Sequence, residues 1–371
     1  MLAKILGENY EKEIRELSGF DRGWYKKVKT GWDQVAKPLD SLGAFEDILS
    51  RIGAIQRKRV PDLSKARLLV CCADNGIVEE GVSQSGQEIT AICAESIAGG
   101  NSSVAIMARQ ADVEVLTVDV GVSTERKLQN VRDEKIRLGT RNFRHESAMT
   151  EEEAAKALQV GMELVKESKK EGCAILGVGE MGIGNTTTSS AITAALLGMP
   201  VGEVTGRGAG LSDEGLRRKQ TVIEEALKRY GIAGGKDSEW QISRMSGDGA
   251  FKVLQCVGGY DIACMAGICL GGALYQIPIV LDGFISLAAA LIACRIEPIV
   301  KEYLIPSHSG KEPAMKKLEE ELGLEPVLFA RMALGEGTGA VLMIQLLRTV
   351  NAVYEKSVSF EKAGIKPYRH F

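Results

Sequence analysis

The stretch Leu334-Gly335-Glu336-Gly337-Thr338-Gly339-Ala340 sets one carboxylate among glycines, directly before an apolar run of helical character. Little side-chain bulk surrounds Glu336, so a ligand can come close. A carboxylate in such a place suits a general base. The competing explanation is a Glu that caps the helix start. A second carboxylate, Glu180, lies in residues 177–190, Gly-Val-Gly-Glu-Met-Gly-Ile-Gly-Asn-Thr-Thr-Thr-Ser-Ser. This stretch follows the apolar run 173–176 and precedes another at 191–197, which is the pattern of a strand, a turn and a helix start. Glycines let the backbone turn with positive φ, and the free N–H groups of a helix start favour an anion. Asn185 and Thr186 to Thr188 are good N-cap types. The stretch is therefore a candidate phosphate cradle with Glu180 on its rim. The spacing is neither G-x-G-x-x-G nor a P-loop.

Two further segments add to this chemistry. Residues 204–214 form another glycine-rich loop, with Gly206, Arg207, Gly208 and Ser212 as the expected N-cap of the next helix. Lys219 lies inside that helix, where it either reaches back to an anion or is simply solvated. Pro306-Ser307-His308-Ser309-Gly310 is a polar turn holding the one His in a context that could face a site. A Ser-His-Asp hydrolase is a poor fit, because no G-x-S-x-G elbow is present. Together these pieces suit a phosphorylated small molecule and a proton transfer.

The elements that must position these residues follow from apolar patterning. Residues 67–73, 113–118, 173–178 and 277–281 read as buried strands, and residues 89–98, 150–170 and 339–355 as helices. Thr150-Glu151-Glu152-Glu153 is a capping box. Alternating strands and helices predict an α/β fold with a mostly parallel sheet flanked by helices. Asp74, Asp119, Glu180 and Asp282 fall at strand ends, where open α/β sheets build their sites. Residues 1–60 are expected to be helical, with amphipathic patches at 10–17 and 42–55. Residues 231–237 read as a flexible connection.

Composition bounds the function. The 371 residues include 45% hydrophobic and 26% charged types with a net charge of −3, which makes no electrostatic case for nucleic acid or an anionic membrane surface. The apolar stretch 262–280 is broken by Gly267, Gly271, Gly272 and Pro278, and reads as a buried helix followed by a buried strand, not as a membrane span. The eight cysteines lack a C-x-x-C pair and only three His are present, so no structural metal is expected, and buried thiols in a reducing cytoplasm fit better.

In these same residues the chain resembles the nicotinate-nucleotide-dimethylbenzimidazole phosphoribosyltransferase family. The resemblance rests on 180–187, 206–219, Leu281-Asp282-Gly283-Phe284, Ser307-His308 and 334–340. It also rests on Pro38-Leu39-Asp40-Ser41-Leu42-Gly43 and Ala73-Asp74-Asn75-Gly76-Ile77, in the family's order. It implies a Rossmann-like large domain at 66–335 and a small helical domain built from both chain ends, 1–65 and 336–371. It implies a cytoplasmic homodimer, or a heterodimer with a paralogue, that needs no cofactor or metal. The implied reaction moves 5-phosphoribosyl from nicotinate mononucleotide to an aromatic base, giving an α-ribotide for cobamides. Glu336 is then the base and Glu180 the second carboxylate. Gly182, Gly184, Asn185, Thr186, Gly206, Arg207, Gly208, Lys219, Ser307 and Gly335 surround the nucleotide. Asn75, Ser85, Glu88, Cys93, Met181 and Asp282 face the acceptor. Asn75, residues 85–88, Cys93 and residues 309–310 depart from the family's usual pattern, which leaves benzimidazole, purine and phenol open as acceptors.

Overall fold

The computed structural model describes residues 17–233 and 243–370. Most of the expected patch at 10–17, and residues 234–237 of the expected connection, lie outside them. Helices α1 (Arg22–Trp32) and α2 (Ala44–Gln56) precede strand β1 (Ala66–Ala73). Then come α3 (Glu88–Ala98), α4 (Ser103–Gln110), β2 (Val113–Gly121), β3 (Arg132–Asp133), α5 (Glu151–Lys170) and β4 (Ile175–Met181). Next are α6 (Asn185–Leu197), α7 (Val201–Val204), α8 (Asp213–Arg229), α9 (Gly247–Val257), α10 (Tyr260–Leu274), β5 (Ile279–Val280) and α11 (Phe284–Ile296). The chain closes with β6 (Leu304–Ile305), α12 (Met315–Leu322), α13 (Thr338–Lys356) and α14 (Phe360–Ala363).

The six strands form one sheet in the order β3-β2-β1-β4-β5-β6, with every pairing parallel. This is the doubly wound order, whose switch point lies between β1 and β4. β1 shows why a continuous apolar run is needed there: all eight of its residues are buried. Leu69, Cys71 and Ala73 join the apolar cluster of α5, α9, α10 and α11. Leu68, Val70 and Cys72 alternate to the other face and join the cluster of α2, α3, α4 and α13. The capping box of α5 is present, with Thr150 and Glu153 bonding reciprocally.

Both chain ends meet on the α13 side of the sheet. The Trp32 ring stands 4.6 Å from that of Tyr354, and Val35 bridges to Ser359. Two expectations need correction. The helix after the glycine loop has Gly184 as its N-cap, at φ 94°, and glycine has no side chain to cap with; Asn185 is the first helical residue and its side chain bonds to Asp261 instead. The strand expected at 277–281 keeps only Ile279–Val280 in the ladder. The short strands β3 and β6 lie at the two edges of the sheet and carry no apolar pattern long enough to announce them.

Candidate active site

The carboxyl ends of β4 and β5, the polar turn at 307–310 and the glycine stretch before α13 enclose a cavity of about 310 Å³. Glu180 and Met181 line it from β4, and Gly182, Asn185 and Thr186 from the following loop and helix. Asp282, His308, Gly335 and Glu336 line it too, with Gly335 and Glu336 packed against Glu180, Gly208 comes from the second glycine loop and Cys93 from α3. Apolar lining comes from Ile183, Phe284, Ile285, Met315, Met332 and Leu334. A volume of this size fits a small ligand held mainly by apolar walls and a few polar groups.

Glycines around the cavity are demanded by close packing. A side chain on Gly339 would begin 2.1 Å from His308 Nδ1 and 2.7 Å from Ser307 Oγ. That lack of a Cβ lets α13 start against the polar turn, and Asp282 secures the start. Its Oδ1 accepts from the Gly339 N–H at 2.7 Å and its Oδ2 from the Gly337 N–H at 3.1 Å. Ser307 Oγ donates to the Asp282 carbonyl at 2.9 Å. Glu336 itself has φ 61°, a left-handed conformation that costs a non-glycine residue energy and is concentrated at functional sites. Its Oε2 lies 3.4 Å from the Val104 N–H at the start of α4.

Glu180 is buried, and burial pushes its carboxyl up to about 8, with Asp261 adding to the rise. Asn185 and the Glu336 N–H oppose the shift by bonding to it. Asp282 is pushed up to about 7, again chiefly by burial. The two neighbouring carboxyls stand in different settings, Glu180 buried and Glu336 half-buried.

Next to the cavity, Lys219 of α8 is fully buried. Its Nζ donates to Thr186 Oγ1 at 2.9 Å and to the Gly206 carbonyl at 3.2 Å, so it joins the two glycine loops. Burial pushes the ammonium down to about 8, and the Glu312 carboxylate opposes that fall. Ser212 caps α8 as expected, accepting from the Gly215 N–H at 3.1 Å.

Of the sequence-predicted residues, Glu180, Met181, Gly182, Asn185, Thr186, Gly208, Asp282, Gly335, Glu336 and Cys93 line one cavity. Lys219 and Gly206 flank it through Thr186. Gly184 packs behind the loop, where a side chain would begin 2.7 Å from Val78 Cγ2. Asn75 is buried beneath the same loop and donates to the Ile183 carbonyl at 3.3 Å. Ser307 sits behind His308. Arg207 turns back within its own loop, donating to the Leu211 carbonyl at 2.9 Å and pairing with Asp213. Ser85 and Glu88 lie at the approach to α3, outside the cavity lining, and Glu88 is exposed. Of the four strand-end carboxylates, Asp74 and Asp119 serve loops instead. Asp74 accepts from Thr90 and from the Ser123 N–H, and Asp119 from the Gly121 and Val122 N–H groups. Sequence reasoning missed Met315, Met332 and Phe284 as walls, since apolar residues in loops and helix starts carry no periodic signal. It also missed Asp261, which looks like an ordinary first-turn acid.

Comparisons with known proteins show the family and the fold. The family model DBI_PRT, described as a phosphoribosyltransferase, matches residues 17–365. The chain belongs to this family. It is 41% identical over 361 residues to the nicotinate-nucleotide–dimethylbenzimidazole phosphoribosyltransferase of Clostridium acetobutylicum, covering 97% of this chain and 99% of that protein. It is 38% identical over 352 residues to the protein of the same name from Clostridium perfringens, covering 95% and 94%. Its fold matches the crystal structure of CobT from Thermus thermophilus with a TM-score of 0.84 at 37% identity, over 93% of this chain and 99% of that one. Among the described residues, no helix is long and apolar enough to cross a membrane.

Proposed function

We propose that the chain transfers the 5-phosphoribosyl group of nicotinate mononucleotide to a ring nitrogen of dimethylbenzimidazole or a similar aromatic base. The product is an α-ribotide for cobamide assembly. The observation that carries this reading is Glu336 beside buried Glu180 in one thioether- and aromatic-walled cavity, next to a buried lysine and two glycine loops.

In this reading the phosphate rests near Lys219 and the loops at 182–186 and 206–208, and the acceptor lies between Met181, Met332 and Phe284. Glu180 holds its proton at neutral pH and so donates a hydrogen bond instead of accepting a proton. Glu336 takes the acceptor's N–H proton as the other ring nitrogen attacks C1′. The C1′–N bond to nicotinate breaks, its electron pair goes to the pyridine nitrogen, and neutralising that pyridinium drives departure. A single displacement inverts C1′ from β to α. The protein's work is mainly orientation and deprotonation.

Several companion assignments belong to the same proposal. Both chain ends form the small helical unit, the enzyme works as a dimer, and it resides in the cytoplasm. The meeting of α1, α2 and α13 on one sheet face and the buried free thiols support the first and last of these. The test offers the purified chain nicotinate mononucleotide with dimethylbenzimidazole, adenine and phenol in turn, and measures nicotinate release. Release with dimethylbenzimidazole is expected. No release with any acceptor would overturn the proposal.

A further inference from the structure

Asn185 is where two carboxyls meet. Its Nδ2 donates to Glu180 Oε2 and, at 3.0 Å, to Oδ2 of Asp261. An amide nitrogen carries two N–H groups, so this one side chain serves both acids. Asp261 stands in the first turn of α10, completely buried, directly under the loop that follows β4. A side chain on Gly182 would begin 2.6 Å from Asp261 Oδ2.

The other oxygen of Asp261, Oδ1, is buried without a hydrogen-bond partner, and so is Oδ1 of Asn75. Both oxygens lie 2.4 Å from the point where a side chain on Gly259 would begin. The Asn75 amide nitrogen is already committed to the Ile183 carbonyl. Two acceptor oxygens thus converge on one glycine, with no side-chain donor to either among the described residues. A buried acceptor left unsatisfied loses its hydration without a replacement bond. One proton on Asp261 supplies the missing donor.

We infer that Asp261 is a positioning residue for Glu180: as a neutral carboxylic acid it donates to Asn75 Oδ1 and fixes Asn185, which in turn holds Glu180 at the cavity floor. This rests on the proposed role of the cavity. The titratable groups facing Asp261 are Glu180 of β4, Asp74 after β1 and the thiols of Cys71 and Cys72 in β1. None of these is a cation. Burial pushes Asp261 up to about 7, while Asn185 and the N–H groups of Asp261 and Ile262 oppose the rise. Glu180 and Asp261 raise one another's cost of ionisation, as like charges close together do. Ionisation of Asp261 on the alkaline side breaks the contact with Asn75 and draws the Asn185 amide toward the charged carboxylate and away from Glu180.

The test compares Asp261→Asn with Asp261→Ala. Asparagine reproduces the neutral acid's pattern, donating toward Asn75 and accepting from Asn185, but cannot ionise. Asp261→Ala is expected to lower kcat about ten- to a hundredfold through misplacement of Glu180, with KM for nicotinate mononucleotide moving less than about threefold. Asp261→Asn should restore the loss and remove the alkaline fall in kcat near pH 7. Asn75→Ala should move that fall to lower pH, because the neutral acid loses its acceptor. Infrared spectroscopy gives a readout independent of turnover. The carbonyl band of buried protonated carboxyls should lose one component in Asp261→Asn, a component that titrates near pH 7 in the parent. Absence of that component, or an Asp261→Asn enzyme as impaired as Asp261→Ala with its alkaline fall unmoved, overturns the inference. Presence of the component in a chain that releases no nicotinate would fail the functional reading and leave the inference on the proton standing.

Discussion

Replacing Lys219 by Gln tests the phosphate cradle quantitatively. Lys219 is fully buried, and its ammonium reaches both glycine loops. Opposite unit charges 4 Å apart attract by about 4 kcal/mol at an effective dielectric of 20. Every 1.4 kcal/mol is a factor of about ten in affinity. The loop N–H groups survive the substitution, so the expected loss is about 10²- to 10³-fold in nicotinate mononucleotide affinity. Burial holds this ammonium down to about 8. Above that pH the free enzyme must take up a proton before a dianion binds well, so parental affinity should fall by up to about tenfold per pH unit. The Gln variant should show no such fall. The variant should also stay folded, because a buried cation with a lowered pKa disfavours the folded state until pH rises through about 8 toward the unfolded value. Calorimetric titration of the nucleotide at pH 6.5, 8 and 9, on both proteins, reads all of this. A folded Gln variant that binds within about threefold of the parent would refute the placement of the phosphate.

Two more predictions concern the fold beneath the site. Glu180 is held up to about 8, and Asp261 and Asp282 to about 7, each chiefly by burial. Raised carboxyls favour the folded state fully below their ordinary values near 4, and that contribution is lost as pH rises through 7–8. The thermal midpoint should therefore fall between pH 5 and pH 8, and a flat or rising midpoint would contradict this. Gly182→Ala would place a methyl 2.4 Å from the Ala73 carbonyl and 2.6 Å from Asp261 Oδ2. Such overpacking costs about 1–3 kcal/mol, so urea unfolding should show a lower midpoint even without nucleotide, and an unchanged midpoint would mean the loop gives way freely.

The sheet was legible because its central strands are long apolar runs. β1 was read almost to the residue, and the end of β4 carries Glu180 as the pattern required. The edge strands β3 and β6 are two residues each, too short for any periodic signal. The site was legible where chemistry and glycine coincide, at 180–186 and 335–339, since few other reasons concentrate glycines around a carboxylate. It was less legible where a polar residue could serve either a ligand or a loop. Arg207 and Asp74 look alike in sequence to ligand-binding residues, yet their side chains are spent on neighbouring backbone and loop groups. Asn185 was expected to cap a helix and instead ties two carboxyls together, a contact between β4, α6 and α10 that no local spacing encodes. The apolar walls from Met315 and Met332 come from segments far apart in sequence from β4 and meet it only in the folded chain.

The central claim is that Glu336 takes the acceptor's proton, and Glu336→Gln tests it most directly. Glutamine keeps the size and shape of the side chain but cannot accept that proton. General-base catalysis contributes about 10²- to 10⁴-fold in rate. Steady-state turnover with dimethylbenzimidazole should therefore fall by that factor, with nicotinate mononucleotide affinity nearly unchanged. With phenol as acceptor the deficit should shrink at high pH, as the hydroxyl, with a pKa near about 10 if it resembles a tyrosine side chain, ionises without help. A kcat within about twofold of the parent would contradict the assignment, and a loss confined to nucleotide binding would make Glu336 a structural residue of the α13 start.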